Sequence, residues 1–431
     1  MNWPSSRRAW TLTILLTLAY VLSYVDRAIL GLLVEPIKAD LGLDDEQIGL
    51  LLGPAFAIFY ATMGVPLGWL ADRVKRTWLV AAGIALWSMA TAASGLARDF
   101  WHLFSARMSV GVGEATLGPS AMSMIGDSFP PEKRGKPVAV YSAALSLGSG
   151  IAGLIGAGVL IWAKTSNQIE LPVVGTVRPW QFAFFVVGIP GLLLALAFLF
   201  VREPSRQRVE NESLGSFPDA LRTIWTDKGA FIGVTLLVCV MTATAYSHGL
   251  MPSAFSRSYG WEPQTFAFWN AIATLSIGPP SIWLVGWAAD KGRAQGRADA
   301  PLRILLIGFI LLVPSSAAIL LMPTPELALA MNALNTVPFA MVTAAAIMAL
   351  LDITPGQVRA QVVALYYMAI SMAGLFLGPT TAGSLSKRVF GEEHLNWAIS
   401  AVPIIYGTIP LLLLPIIRKA YLVRLAKAQG V

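Results

Sequence analysis

The sequence predicts an all-α membrane protein: twelve transmembrane helices in two pseudo-symmetric six-helix bundles around a central cavity. Three observations carry that expectation. Of 431 residues, 56% are hydrophobic and 13% charged, against about 25% charged in a soluble domain. Apolar runs recur near the roughly 20 residues that a helix needs to cross a bilayer. A charged tract at residues 202–228, without a span-length apolar run, divides the runs into six and six. Helices are the required element because each satisfies its own backbone polar groups where water is absent.

In order, the predicted spans lie near residues 10–34, 48–71, 77–96, 101–125, 137–163 and 181–201, then 230–252, 265–289, 302–322, 326–351, 362–385 and 396–417. The expected domains are residues 1–201, a linker at 202–228 and residues 229–431. Residues 1–8 are short and basic and lead into a run too long for a cleaved signal peptide, so they read as the start of a retained first helix. The single Cys239 excludes an internal disulfide. A pI near 9.5 would suggest nucleic acid in a soluble chain, but loop topology explains it better here. Placing the termini and even-numbered turns on one side collects 22 of the 31 basic residues there, against 7 on the other, with Arg27 and Arg107 inside spans. That bias puts both termini and the linker in the cytoplasm, with the chain in the plasma (inner) membrane.

The charges inside the spans are the chemical signal. An ionisable residue at membrane depth costs roughly 2.5–3.5 kcal/mol on insertion scales, so it should face protein or a watery cavity. Arg107 and Glu114 stand two turns apart on one helical face, and Gly111 and Gly118 continue that stripe. Asp26 and Arg27 are adjacent, so they cannot face each other on a helix and each needs another partner. Tyr20, Ser23, Tyr24 and Arg27 form a stripe expected to face the cavity, with Asp26 turned toward Arg107. Desolvation holds a carboxyl protonated and a nearby guanidinium holds it ionised, so a shape change that alters either can load or release a proton. Asp26 and Glu114 are therefore expected to exchange protons or partners around Arg107 and Arg27.

Gly68-Trp-Leu-Ala-Asp72-Arg73 recurs as Gly286-Trp-Ala-Ala-Asp290-Lys291 at an offset of 218 residues, which points to a duplication of parallel halves. Asp72, Arg73, Asp290 and Lys291 are expected to gate that face through charge contacts. Gly148, Gly150, Gly153, Gly156 and Gly158 would let the fifth helix approach its neighbours closely.

Gly68-x-x-x-Asp72-Arg73-x-Lys75-Arg76 resembles the second-turn signature of the major facilitator superfamily, with Lys75 where glycine is usual. Tyr24-Val-Asp26-Arg27, Arg107-x-x-Val-Gly-Val-Gly-Glu114-Ala, Gly148-Ser-Gly and Val201-Arg-Glu-Pro resemble the spinster-type branch. The resemblance implies a transporter of lysolipids or sphingoid phosphates working by alternating access. The charge pattern suits such an amphipathic anion too, since the second half is apolar and aromatic by comparison. Expected substrate contacts are Tyr20, Ser23, Tyr24, Arg27, Gly118, Tyr141, Tyr246 and His248, with His248 weighed chiefly as a packing residue. Small organic anions are the alternative substrate. The expected partners are a small-molecule or lipid substrate, protons and membrane lipid, without nucleic acid, in a monomer.

Other classes fare worse. No Gly-x-x-x-x-Gly-Lys-[Ser/Thr] phosphate cradle is present. His102, His248 and His394 are scattered and form no metal site, so neither metal nor cofactor is expected. No nucleophile and base pair suggests an enzyme, and the charges are too localised for a channel.

Overall fold

The computed structural model describes residues 3–71, 73–130, 133–164, 169–171, 175–206 and 217–429. Ten helices among them are long and apolar enough to cross a membrane. The other two predicted spans, near residues 101–125 and 137–163, are helical as well. The chain divides into two compact units, one of residues 1–208 with 249–272, the other of residues 209–248 with 273–431.

In the first unit, α1 (Ser6–Leu32) is followed by two short helices, α2 (Val34–Leu41) and α3 (Asp45–Leu52). Asp44 starts α3 by accepting from the Gln47 amide at 2.8 Å, while the Gln47 side chain accepts from the Asp44 amide at 3.0 Å. Gly53 then separates α3 from α4 (Pro54–Ala71), where Pro54 can begin a helix but not continue one. The single predicted second span is thus two helices. Next come α5 (Arg76–Ser94), α6 (Phe100–Glu114), α7 (Leu117–Ser128), α8 (Gly135–Lys164) and α9 (Pro179–Phe200). Between α8 and α9 lies a small antiparallel hairpin, β1 (Ile169–Leu171) and β2 (Gly175–Val177), with Ile169 opposite Val177. It is an exception to the all-α expectation, too short to leave a periodic signal.

The predicted fourth span breaks at Ala115 and Thr116. Pro119 explains the break: it has no N–H for the Ala115 carbonyl, and its ring crowds that oxygen. Glu114 therefore ends α6 and Leu117 begins α7, so the single predicted fourth span is two helices, joined through Ala115 and Thr116 in right-handed helical conformation.

Between helices in lipid, close packing replaces hydrophobic drive, and small residues supply it. Gly111 and Gly113, two apart and so on nearly opposite faces of α6, let it enter between two neighbours. A Cβ on Gly111 would stand 2.5 Å from the Phe56 carbonyl of α4. One on Gly113 would stand 2.7 Å from the Gly83 carbonyl and 2.8 Å from the Trp87 amide of α5. These obstacles are backbone and cannot swing away. Gly111→Ala and Gly113→Ala are each expected to destabilise by about 1–3 kcal/mol as overpacking, measured by thermal unfolding in detergent, with Val112→Ala close to the parent. Small residues also bring α8 onto α1, with Gly148 against the Tyr24 ring.

The linker contains α10 (Phe217–Thr226), an amphipathic helix that exposes Phe217, Leu221 and Trp225 at four-residue spacing. It leads to α11 (Lys228–Ser247), and α12 (Met251–Tyr259) belongs to the first unit. The chain continues through α13 (Pro263–Ala294), α14 (Ala300–Ala318), α15 (Pro325–Ile353), α16 (Arg359–Leu385) and α17 (Leu395–Gln429). In the second unit α11 packs on α16, where Gly378 meets the Ala243 backbone. α14 packs on α15, where Asn335 bridges Ser315 at 2.5 Å and Ser316 at 3.0 Å. α17 runs well past the predicted end at residue 417. Its last turns are held by the buried Tyr421 and Leu425 and by Lys427, which bonds Asp227 at 2.8 Å.

Candidate functional site

Four charged groups meet within the first unit. The Arg27 Nε donates to Glu114 Oε2 at 2.9 Å, and its Nη2 bonds the same oxygen. Asp26, one residue back and about 100° round α1, approaches Arg107 of α6, with Nη1 3.8 Å from Oδ1. The side chains of Asp26 and Arg107 are each 3% exposed, Glu114 1% and Arg27 15%. Two neighbouring residues on α1 thus pair with two residues of α6 spaced two turns apart.

The couples differ in quality. Arg27 and Glu114 are in full hydrogen-bond contact. Asp26 and Arg107 meet only at long range. Neither Asp26 oxygen nor Arg107 Nε has a hydrogen-bond partner among the described residues. Thr91 stands beside Asp26, but its hydroxyl donates to the Trp87 carbonyl at 2.9 Å.

Phe56 of α4 joins the couples. Its ring centroid lies 4.5 Å from the Arg27 guanidinium carbon and 5.6 Å from that of Arg107. Tyr60 stacks on Phe56 at 5.1 Å and stands 5.2 Å from Arg27. Sequence reasoning missed both rings. Their four-residue spacing was visible, but nothing local separates them from ordinary bundle core.

Of the expected substrate contacts, Tyr20 stacks on Tyr141 at 5.0 Å and tilts against Tyr24 at 5.4 Å. Tyr24 in turn stands 5.5 Å from the Arg27 guanidinium. Ser23 is buried with a hydroxyl that has no partner among the described residues, and open space lies over Gly118. Tyr246 and His248 belong to the second unit. Tyr246 lies against Gly374. His248 meets Phe339 edge-on at 5.9 Å, and its buried Nε2 has no partner among the described residues.

Of the expected gating residues, Asp72 lies outside the described residues. Arg73 lies over the Trp69 ring at 3.8 Å, and Lys291 lies over Trp287 at 4.7 Å. The duplicated sequence therefore also encodes a cation resting on the tryptophan four residues earlier. Asp290 is 80% exposed and stands 3.9 Å from Arg293, which bonds both oxygens of Asp352 at 2.9 and 2.8 Å.

Two further charge clusters escaped the sequence reading. Arg76, assigned there to a basic turn, is 2% exposed. It donates to Glu203 at 2.8 Å, to Ser123 at 2.7 Å, to the Pro204 carbonyl at 3.1 Å and to Asp127. Arg257 of α12 holds Glu35 at 2.9 Å and both oxygens of the buried Asp45 at 2.7 and 2.9 Å. Lys38 bonds Asp45 as well. Among the described residues, no group of histidines, cysteines and acids could hold a metal.

A helical membrane protein with acid and base groups buried in one bundle has the construction of a transporter. The Major Facilitator Superfamily model matches residues 16–298, and the chain belongs to that superfamily. An efflux pump of this type from Mycolicibacterium smegmatis is 30% identical over 402 residues, 91% of this chain and 89% of that one. Protein spinster homolog 1 of Rattus norvegicus is 31% identical over 225 residues, 51% of this chain and 40% of that one. A probable L-galactonate transporter of Escherichia coli is 29% identical over 200 residues, 46% of this chain and 40% of that one. The chain thus matches about two fifths of the length of the latter two. Among solved structures, a bacterial homolog of the human lysosomal transporter spinster, inward-facing and unoccupied, aligns with a TM-score of 0.80 and 24% identity over 99% of each chain.

Proposed function

We propose that the protein is a proton-coupled secondary transporter that works by alternating access and carries an amphipathic anionic lipid, a lysophospholipid or a sphingoid phosphate. The observation that carries this reading is the unequal pair of buried couples. Glu114 is locked to Arg27, while Asp26 and Arg107 stay 3.8 Å apart. Bringing one guanidinium closer to either carboxylate would favour loss of its proton, and drawing it away would favour uptake. Arg27, ringed by Tyr24, Phe56 and Tyr60, offers an anionic headgroup a cation with an apolar surround. A substrate anion that took Arg27 from Glu114 would free that carboxylate to bind a proton. The domain limits 1–201, 202–228 and 229–431, cytoplasmic termini, a monomeric state and a plasma-membrane location belong to the same proposal.

The likeness to a protein named as a probable L-galactonate transporter favours a second reading, in which the anion is small and hydrophilic. Purified protein in sealed vesicles, given radiolabelled lysophosphatidylglycerol or galactonate with and without an imposed pH gradient, tests both. Saturable lysolipid flux that responds to the gradient is expected. Galactonate flux alone would install the second reading, and flux of either indifferent to pH would remove the proton.

A further inference from the structure

We propose that the basic end of the first unit carries a binding site for an anionic membrane phospholipid, separate from the buried charge site and independent of what is transported. Two adjoining cavities of about 370 and 680 Å³ share Trp3, Pro4, Ala9 and Ser128 as walls. Arg8 and Arg202 line the first, and Lys133 and Lys136 line the second. These four cations are exposed and form no ion pair among the described residues. The acid on the wall, Glu203, is engaged by the buried Arg76 at 2.8 Å, and Asp127 behind it is bonded to the same guanidinium. One guanidinium against two carboxylates leaves a single negative charge beside four cations, so among the described residues the local charge is positive.

The position fixes the ligand class. The walls are the first turns of α1, the end of α7 and the exit of α9, each a point where an apolar span meets a polar segment. That is the level of lipid headgroups. Tryptophan prefers this depth, and Trp3 and Trp10 both line the larger cavity, with Trp10 edge-on to Phe129 at 5.6 Å. Arg134 lies over the Trp3 ring at 5.8 Å. A phosphodiester would be held by the four free cations, and acyl chains would run down beside α1 and α7. Clusters of basic residues beside spans attract anionic lipid in proportion to their number.

The test compares phosphatidylglycerol, phosphatidylcholine and inorganic phosphate added to the detergent-purified full chain, read by native mass spectrometry and thermal unfolding. Phosphatidylglycerol is expected to remain bound and to raise the melting temperature. Phosphatidylcholine and phosphate are expected to do neither. Combining Arg8→Gln, Lys133→Gln, Lys136→Gln and Arg202→Gln should weaken phosphatidylglycerol binding about tenfold or more without changing the melting temperature in phosphatidylcholine. A charge-matched control, Arg222→Gln with Arg297→Gln, Arg418→Gln and Lys419→Gln, should bind like the parent. Equal binding of the two phospholipids, equal loss in the control, or stabilisation by phosphate alone would overturn the proposal. So would phosphatidylglycerol binding unchanged in the fourfold variant.

Discussion

Glu114→Gln, reconstituted into vesicles, is expected to exchange substrate across the membrane at a near-parental rate and to lose accumulation driven by an imposed pH gradient. The magnitude is set by the gradient. Two pH units are worth about 2.7 kcal/mol per coupled proton, or about a hundredfold accumulation, and the variant should fall to none. Glutamine keeps an oxygen that can accept from Arg27 Nε, the 2.9 Å bond of the parent, so the geometry of α1 against α6 is retained while the titration is removed. Arg27 tolerates the missing charge because it is 15% exposed and flanked by three aromatic rings. Asp26→Asn is less informative, since it takes from Arg107, 3% exposed, the carboxylate it is paired with. Breaking one side of a buried pair typically costs about 3–5 kcal/mol. A Glu114→Gln protein with its full response to the gradient would remove Glu114 from the coupling.

Hydropathy made the spans legible because bilayer thickness sets helix length whatever the fold. The charges of α1 and α6 were equally legible, since four ionisable residues in apolar runs require an explanation. Their pairing was harder to read. Helical spacing puts Arg107 and Glu114 on one face but does not say which neighbour on α1 each will meet. That depends on how α6 seats among its neighbours, which Gly111 and Gly113 let approach closely on the sides of α4 and α5. Pro119 sat in plain view, yet the apolar run concealed the break after Glu114. Helix α17 was cut short because Arg418, Lys419, Arg424 and Lys427 read as a cytoplasmic tail, whereas Asp227, about 200 residues away in sequence, ties two of them down.

Arg76 shows the limit most clearly, and it carries the largest expected effect on stability. In sequence it is one cation in a turn full of them, which the orientation rule absorbs without remainder. Its partners lie 47 to 128 residues away, so the second-turn signature that contains it does not tell what it holds. Arg76→Gln is expected to lower stability by about 3–5 kcal/mol, because it leaves the carboxylates of Asp127 and Glu203 facing each other without a cation. The lowered melting temperature should be accompanied by aggregation on size-exclusion chromatography. Arg76→Lys should rescue little of the loss. An ammonium is a compact point charge and cannot serve two acids, a hydroxyl and a carbonyl in the fixed directions of the guanidinium fork. Adding Asp127→Asn and Glu203→Gln to Arg76→Gln should recover much of it, since the stranded charges go while uncharged hydrogen-bonding groups remain. Thermal unfolding of the four proteins separates the cases. An Arg76→Lys protein as stable as the parent would reduce the cluster to simple charge balance, and a triple variant no better than Arg76→Gln would place the loss in packing. The expected order explains why Glu203 and Pro204 follow the last span of the first unit: they close the cage around an arginine that fastens α5, α7 and the exit of α9 together.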